Sequence, residues 1–119
     1  MEFKDNLPIY IQIINLIKKK IVSGEIKEGE KLQSVRDLST QVKANPNTIQ
    51  RAYSELEREG LVFTQRGMGT FVTEEEDMVL KLKDDMATSM VKTFISDMKS
   101  IGFKEEEIIK MISKSVKED

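Results

Sequence analysis

S-V-R-D-L-S-T-Q-V-K-A-N-P-N-T-I-Q-R-A-Y, residues 34–53, decides the fold. It reads as two short helices with a tight turn between them. Ser34 is placed to cap the first helix, and Asp37, three residues on, approximates a capping box. Val35, Leu38 and Val42 recur at helical spacing and give that helix one apolar face. Asn45-Pro46 restarts the chain, Asn as cap and Pro at a first helical position where no backbone donor is needed. Ile49, Ala52, Tyr53 and Leu56 make the inner face of the second helix. Its leading outer face carries Asn47, Thr48, Gln50 and Arg51, side chains that can read base edges or grip phosphates. A short helix, a turn and a helix with a polar leading end is helix-turn-helix geometry. The plainer reading is two helices of a small bundle with a solvated polar face.

The residues after the second helix favour nucleic-acid binding. Gly60 stands at the left-handed cap position. Leu61–Gln65 and Thr70–Thr73 are β-rich runs around the turn Arg66-Gly67-Met68-Gly69, a hairpin pattern. A hairpin directly after a helix-turn-helix is a winged helix. Its tip sets one cation, Arg66, beside Gly67 and Gly69, which let backbone approach another surface closely. Plain turn chemistry accounts for the glycines; the arginine points to phosphate or minor-groove contact.

Residues 8–72 resemble the DNA-binding domain of the GntR family of bacterial transcription regulators. The resemblance rests on P-I-Y-I-Q-I (8–13), S-G-E-I-K-E-G-E-K-L (23–32) and S-V-R-D-L (34–38). It continues through N-P-N-T-I-Q-R-A-Y-S-E-L-E-R-E-G-L (45–61) and G-M-G-T-F-V (67–72). With only a short tail after the wing, the chain is similar to the YtrA subfamily. The resemblance implies DNA contacts from Arg36 of the S-x-R motif, from Asn47, Thr48, Gln50 and Arg51, and from Gly67 of the wing; Ser34, Arg66 and Gly69 complete the expected DNA-binding set. Two departures stand out. Gln33 replaces a common Pro, so the approach to the first of the two helices is expected to be less rigid. Pro46 stands where many relatives place an Arg, so one common contact is missing.

The chain has 119 residues, 19 basic and 21 acidic, for a net charge of −2. Through residue 72 there are 11 basic and 9 acidic residues; from 73 onward there are 8 and 12. The positive balance lies with the helix-turn-helix and wing, where it suits a specific dimer better than a nonspecific coat. There is no Cys and no His. A disulfide framework, a thiolate metal site and the commonest general base are thereby removed, so no enzyme, cofactor or metal centre is expected. The carboxylates cluster at helix starts, where they serve as caps and dipole partners. No signal pattern and no long apolar run is present, which predicts a soluble, cytoplasmic protein without membrane contact.

Residues 1–6 are polar and expected to be loose. Pro8 opens a first helix to about Val22, with Ile9, Ile13, Leu16, Ile17 and Ile21 as its buried stripe. Lys18-Lys19-Lys20 falls in its last turns, where cations suit the helix C-terminus. Glu30-Lys31-Leu32 is placed to add a short strand to the wing. Tyr10 and Tyr53 read as core-edge aromatics.

The second part begins at Thr73, whose pairing with Glu76 reads as a capping box. Val79, Leu82, Met86, Met90, Phe94, Met98 and Ile101 then recur at three- and four-residue steps, one amphipathic helix of ~27 residues ended by Gly102. Glu105-Glu106-Glu107 opens a weakly capped helix with Ile108, Ile109, Ile112 and Val116 facing inward. Two helices cannot bury these stripes alone, so Val79, Leu82, Met86, Met90, Phe94, Met98, Ile101, Ile108 and Ile112 are expected to form a dimer interface; contact with the winged-helix domain alone is the plainer alternative.

The expected architecture is α+β, mostly α: a winged helix-turn-helix DNA-binding domain over 1–72 and a two-helix dimerisation tail over 73–119. The expected function is a homodimeric, sequence-specific regulator of transcription, a repressor, on a palindromic operator in double-stranded DNA. A winged-helix protein-interaction module is the alternative. For an effector, a small molecule at the dimer interface, a metal held by carboxylates, or none at all each fits.

Overall fold

A computed structural model describes residues 2–118, which fall into two compact units divided between Lys83 and Asp84. Met1 and Asp119, the outer limits of the expected segments, lie outside the described residues. The first unit holds α1 (Ile9–Val22), α2 (Val35–Val42), α3 (Pro46–Arg58), β1 (Val62–Gln65), β2 (Gly69–Val72) and the start of α4 (Glu76–Ser100). The second holds the rest of α4 and α5 (Glu105–Glu118).

Local signals set the helix ends of the first unit. The Ser34 hydroxyl accepts from the Asp37 N–H at 3.0 Å, and the Asn45 side chain accepts from the Asn47 N–H at 2.8 Å. Helix α3 closes in a Schellman motif: Leu61 N–H reaches the Leu56 carbonyl, Gly60 N–H reaches Glu57, and Gly60 takes φ +80°. Leu56 and Leu61, both buried, are the apolar pair that goes with this motif. Helix α2 closes the same way on a residue that has a Cβ: Lys43 sits at φ 58° and Ala44 N–H reaches the Ser39 carbonyl.

The core lies between α1, α2 and α3 and under the hairpin. Ile13, Ile49, Leu56 and Val72 are fully buried, each contributing about 1.5–3 kcal/mol by removal from water. The stripe of α1 differs from expectation. Ile13, Ile14, Ile17 and Ile21 are buried, whereas Ile9 is exposed and Leu16 half-buried, because both lie on the flank of that face. On the other side of α1, buried Gln12 satisfies its amide by bonding Lys4 N–H, Lys4 carbonyl and Leu7 carbonyl. With Phe3 packed on the core, this ties down a segment expected to be loose.

Strands β1 and β2 pair antiparallel from Val62 opposite Val72 to Gln65 opposite Gly69, with the Phe63 and Phe71 rings stacked 5.7 Å apart. Lys31 bridges to Phe71, and backbone bonds join Leu32 to Thr70 and Val72 to Glu30, so the expected third strand is present as a single bridge.

The expected division at 72/73 falls inside the first unit. Val79 is buried in the winged-helix core, Leu82 packs against it, and the Met78 methyl lies where a Cβ on Gly60 would come within 2.8 Å. Thr73 does not form a capping box. Its hydroxyl accepts from Glu75 N–H at 3.1 Å, a turn ahead of a helix that starts at Glu76.

In the second unit α4 ends at Ser100 and is closed by Gly102, φ +99°, in another Schellman motif. The Lys104 N–H donates to the Glu107 carboxylate at 2.9 Å, the reciprocal half of a capping box, in place of the side-chain acceptor that Lys104 cannot supply. Ile108 is buried, but Ile109, Ile112 and Val116, expected to face inward, are 64%, 40% and 69% exposed. Two short helix segments offer too little surface to cover them.

Candidate nucleic-acid interface

Helix α3 presents a polar edge because its apolar residues all fall on one side. With Ile49, Ala52, Tyr53 and Leu56 buried, Asn47, Gln50, Arg51, Ser54 and Arg58 stand exposed on the opposite stripe and Thr48 half-buried at its margin. Gln50 Nε2 donates to Ser54 Oγ at 3.3 Å, a weak bond that leaves the amide oxygen free. The Arg51 guanidinium lies over the Tyr10 ring, 3.7 Å from its centre.

Tyr53 anchors the helix from behind. Its hydroxyl donates to the Gln33 carbonyl at 2.7 Å, and burial pushes its pKa up to about 12. The Gln33 side chain bonds Gln41 Oε1 at 2.7 Å. These two contacts hold the approach to α2 that the loss of a proline was expected to loosen. At the far end, Thr64 N–H donates to Glu57 Oε2 at 2.9 Å and joins the wing to α3.

The cations divide into two groups. Lys18 pairs with Glu59 at 3.0 Å, and Arg58 donates to both oxygens of Glu55. The Arg58 hydrogen bond holds the Glu55 carboxyl below the usual carboxylate range and raises Arg58 in turn. Arg36 on α2, Arg51 on α3 and Arg66 at the wing tip are exposed and make no ion pair among the described residues. Ser34 spends its oxygen on the cap, leaving its hydroxyl proton to donate elsewhere.

The wing tip is open. Gly67 has φ +78° and no heavy atom near its missing side chain, and Met68 is 61% exposed. Gly69, at φ +124°, is crossed by Lys31, whose Cε would stand 2.5 Å from a Cβ there. Lys31 thus joins Arg66 as a wing cation. Sequence reading placed it on a strand and gave it no role, because only the bridge brings it across Gly69. Tyr10 escaped in the same way: it is half-buried with one face turned to Arg51, not simply a core-edge aromatic.

The expected dimerisation residues separate into three sets. Val79 is buried in the winged-helix core and Leu82 is half-buried against it, so this end of the stripe packs on the winged helix. Ile108 is buried within the tail, and Met86 and Met98 are half-buried. Met90, Phe94, Ile101 and Ile112 are 70%, 40%, 70% and 40% exposed. Among the described residues no group of His, Cys, Asp and Glu could hold a metal ion, and no helix is long and apolar enough to cross a membrane.

A capped helix pair, a polar-edged second helix and a glycine-tipped hairpin with unpaired cations define a winged helix-turn-helix DNA-binding protein. Residues 9–72 match the family model described as bacterial regulatory proteins, gntR family. The chain belongs to that family, and the relatives it matches are transcription regulators, not enzymes. It is 44% identical to the HTH-type transcriptional regulator YhcF of Bacillus subtilis, across 93% of this chain and 92% of that one. It is 42% identical to the HTH-type transcriptional repressor YtrA of the same organism, across 96% and 91%. A solved GntR family transcriptional regulator from Listeria monocytogenes superposes with TM-score 0.87 at 43% identity, covering 94% of this chain and 98% of that one.

Proposed function

We propose that the protein is a repressor that works as a homodimer on a palindromic operator, in the cytoplasm where its DNA lies. The observation that carries this reading is the outward apolar face of the tail. Met90, Phe94, Ile101 and Ile112 stand open to solvent beyond a DNA-binding unit that is already complete, and such a patch calls for a partner surface. A second copy of the chain supplies a matching one by symmetry. The repressor sense is supported by likeness to YtrA over nearly the whole chain.

Each subunit then lays α3 in a major groove. Gln50 and Arg51 meet base edges, with Asn47 beside them. Arg36, Thr48 and Arg66 take phosphates or the minor groove, Ser34 offers its hydroxyl proton, and the open Gly67 allows close backbone approach, while Gly69 makes room for Lys31 beside it. Two-fold symmetry requires half-sites an integral number of helical turns apart.

Selection of bound duplexes from a random pool tests the whole reading. The expected product is an inverted repeat spaced by about 10 base pairs or a multiple of it. Light scattering on the parent and on Phe94→Glu tests the interface, with a dimer expected for the first and a monomer for the second. A selected site without symmetry, or a parent that scatters as a monomer, refutes the dimer.

A further inference from the structure

We infer that Tyr10, on α1 and outside the helix-turn-helix, is a positioning residue for DNA recognition, holding Arg51 by its flat face so that its edge donors meet the duplex. This rests on the DNA-binding reading of α3. The contact is short, 3.7 Å from the guanidinium carbon to the ring centre. Stacking of this kind uses the face of the guanidinium and leaves its in-plane N–H groups unspent.

Among the described residues no side chain or backbone group accepts from those donors. Glu55 stands one turn after Arg51 on the same helix, where an acid would ordinarily capture it. Each Glu55 oxygen accepts from Arg58, and Arg51, whose charge Glu55 still feels, makes no hydrogen bond or ion pair to it. The two arginines of this stripe therefore differ in kind: Arg58 is bound to an acid, and Arg51 to a ring. Ordering a long side chain during association costs rotamer freedom, and a side chain already held by a ring in the free protein loses less of it. The donors of Arg51 can then serve the O6 and N7 of a guanine, or a phosphate, in a bidentate bond.

The test uses the duplex recovered by selection, with affinity read by fluorescence anisotropy and folding by thermal melting. Tyr10→Leu keeps an apolar side chain but no ring, and is expected to bind about 3- to 30-fold more weakly. Tyr10→Phe and Tyr10→Trp keep a ring and are expected to stay within about 2-fold of the parent. In an Arg51→Ala background, Tyr10→Leu is expected to add no further loss. A purely structural role for Tyr10 would weaken binding equally in both backgrounds, and that outcome overturns the inference. So does Tyr10→Phe failing as Tyr10→Leu does, which would assign the contact to the hydroxyl, and so does a Tyr10→Leu variant that binds as the parent or tighter. A parent that binds no duplex ends the DNA reading and this inference together; a binding parent matched by Tyr10→Leu ends the inference alone.

Discussion

Tyr53→Phe removes one oxygen from the back of the recognition helix and should show up twice. In the folded protein that hydroxyl donates to the Gln33 carbonyl at 2.7 Å across twenty residues of chain. Gln33 is exposed, so water can take over its carbonyl in the variant, and the loss should be that of an ordinary hydrogen bond, about 1 kcal/mol. At neutral pH this lowers the melting temperature by roughly 3–6 °C. The second effect is alkaline. Burial lifts the Tyr53 pKa to about 12, against about 10 in the unfolded chain. The fold favours the neutral hydroxyl, so this share of stability is complete below pH 10 and is lost as pH rises toward 12. At pH 11 the full cost would be about 1.4 kcal/mol, which solvent at the core edge trims to about 1. Urea unfolding of parent and variant at pH 8 and pH 11 measures both effects. The parent should lead by about 1 kcal/mol at pH 8 and by close to nothing at pH 11. A lead that is unchanged at pH 11 would refute the desolvation of Tyr53, and no lead at pH 8 would refute its bond to Gln33.

Other substitutions test the local geometry. Lys43→Gly relieves a left-handed residue that carries a Cβ and should raise stability by up to about 1 kcal/mol in urea unfolding. Asn45→Ala removes the α3 cap and should cost about 1 kcal/mol, with faster amide exchange at Asn47. Gly67→Asn should be nearly neutral in thermal melting, since asparagine tolerates φ +78° and the site is open. Gly69→Asn should cost about 1–3 kcal/mol, because φ +124° lies outside the left-handed helical well and Lys31 fills the space.

The helix-turn-helix was legible because its signals are local. Ser34, Asn45-Pro46 and Gly60 each act on backbone groups within a few residues, so their chemistry is written beside its effect. The hairpin was legible for the same reason, to within a residue at each strand end. What stayed hidden depends on partners far along the chain. Nothing near Tyr10 announces Arg51, nothing near Lys31 announces Gly69, and nothing near Gln33 announces Tyr53. The packing of Val79 and Leu82 stayed hidden for a related reason. Periodicity showed that they lie on an apolar face but carried no information on which surface that face meets. Gln12 is the converse case, a polar residue that the fold buries because the N-terminal segment can satisfy its amide.

Because Val79 plugs the core from the first turns of α4 and Leu82 lies against it, the DNA-reading module outlasts the wing. Chimaeras that exchange tails between regulators of this build should therefore be spliced after Lys83. A cut at the end of β2 would leave an uncapped apolar hollow for the donor tail to fill by accident of its own sequence. The portable part of the molecule is the winged helix together with the opening turns of a helix that otherwise belongs to the tail.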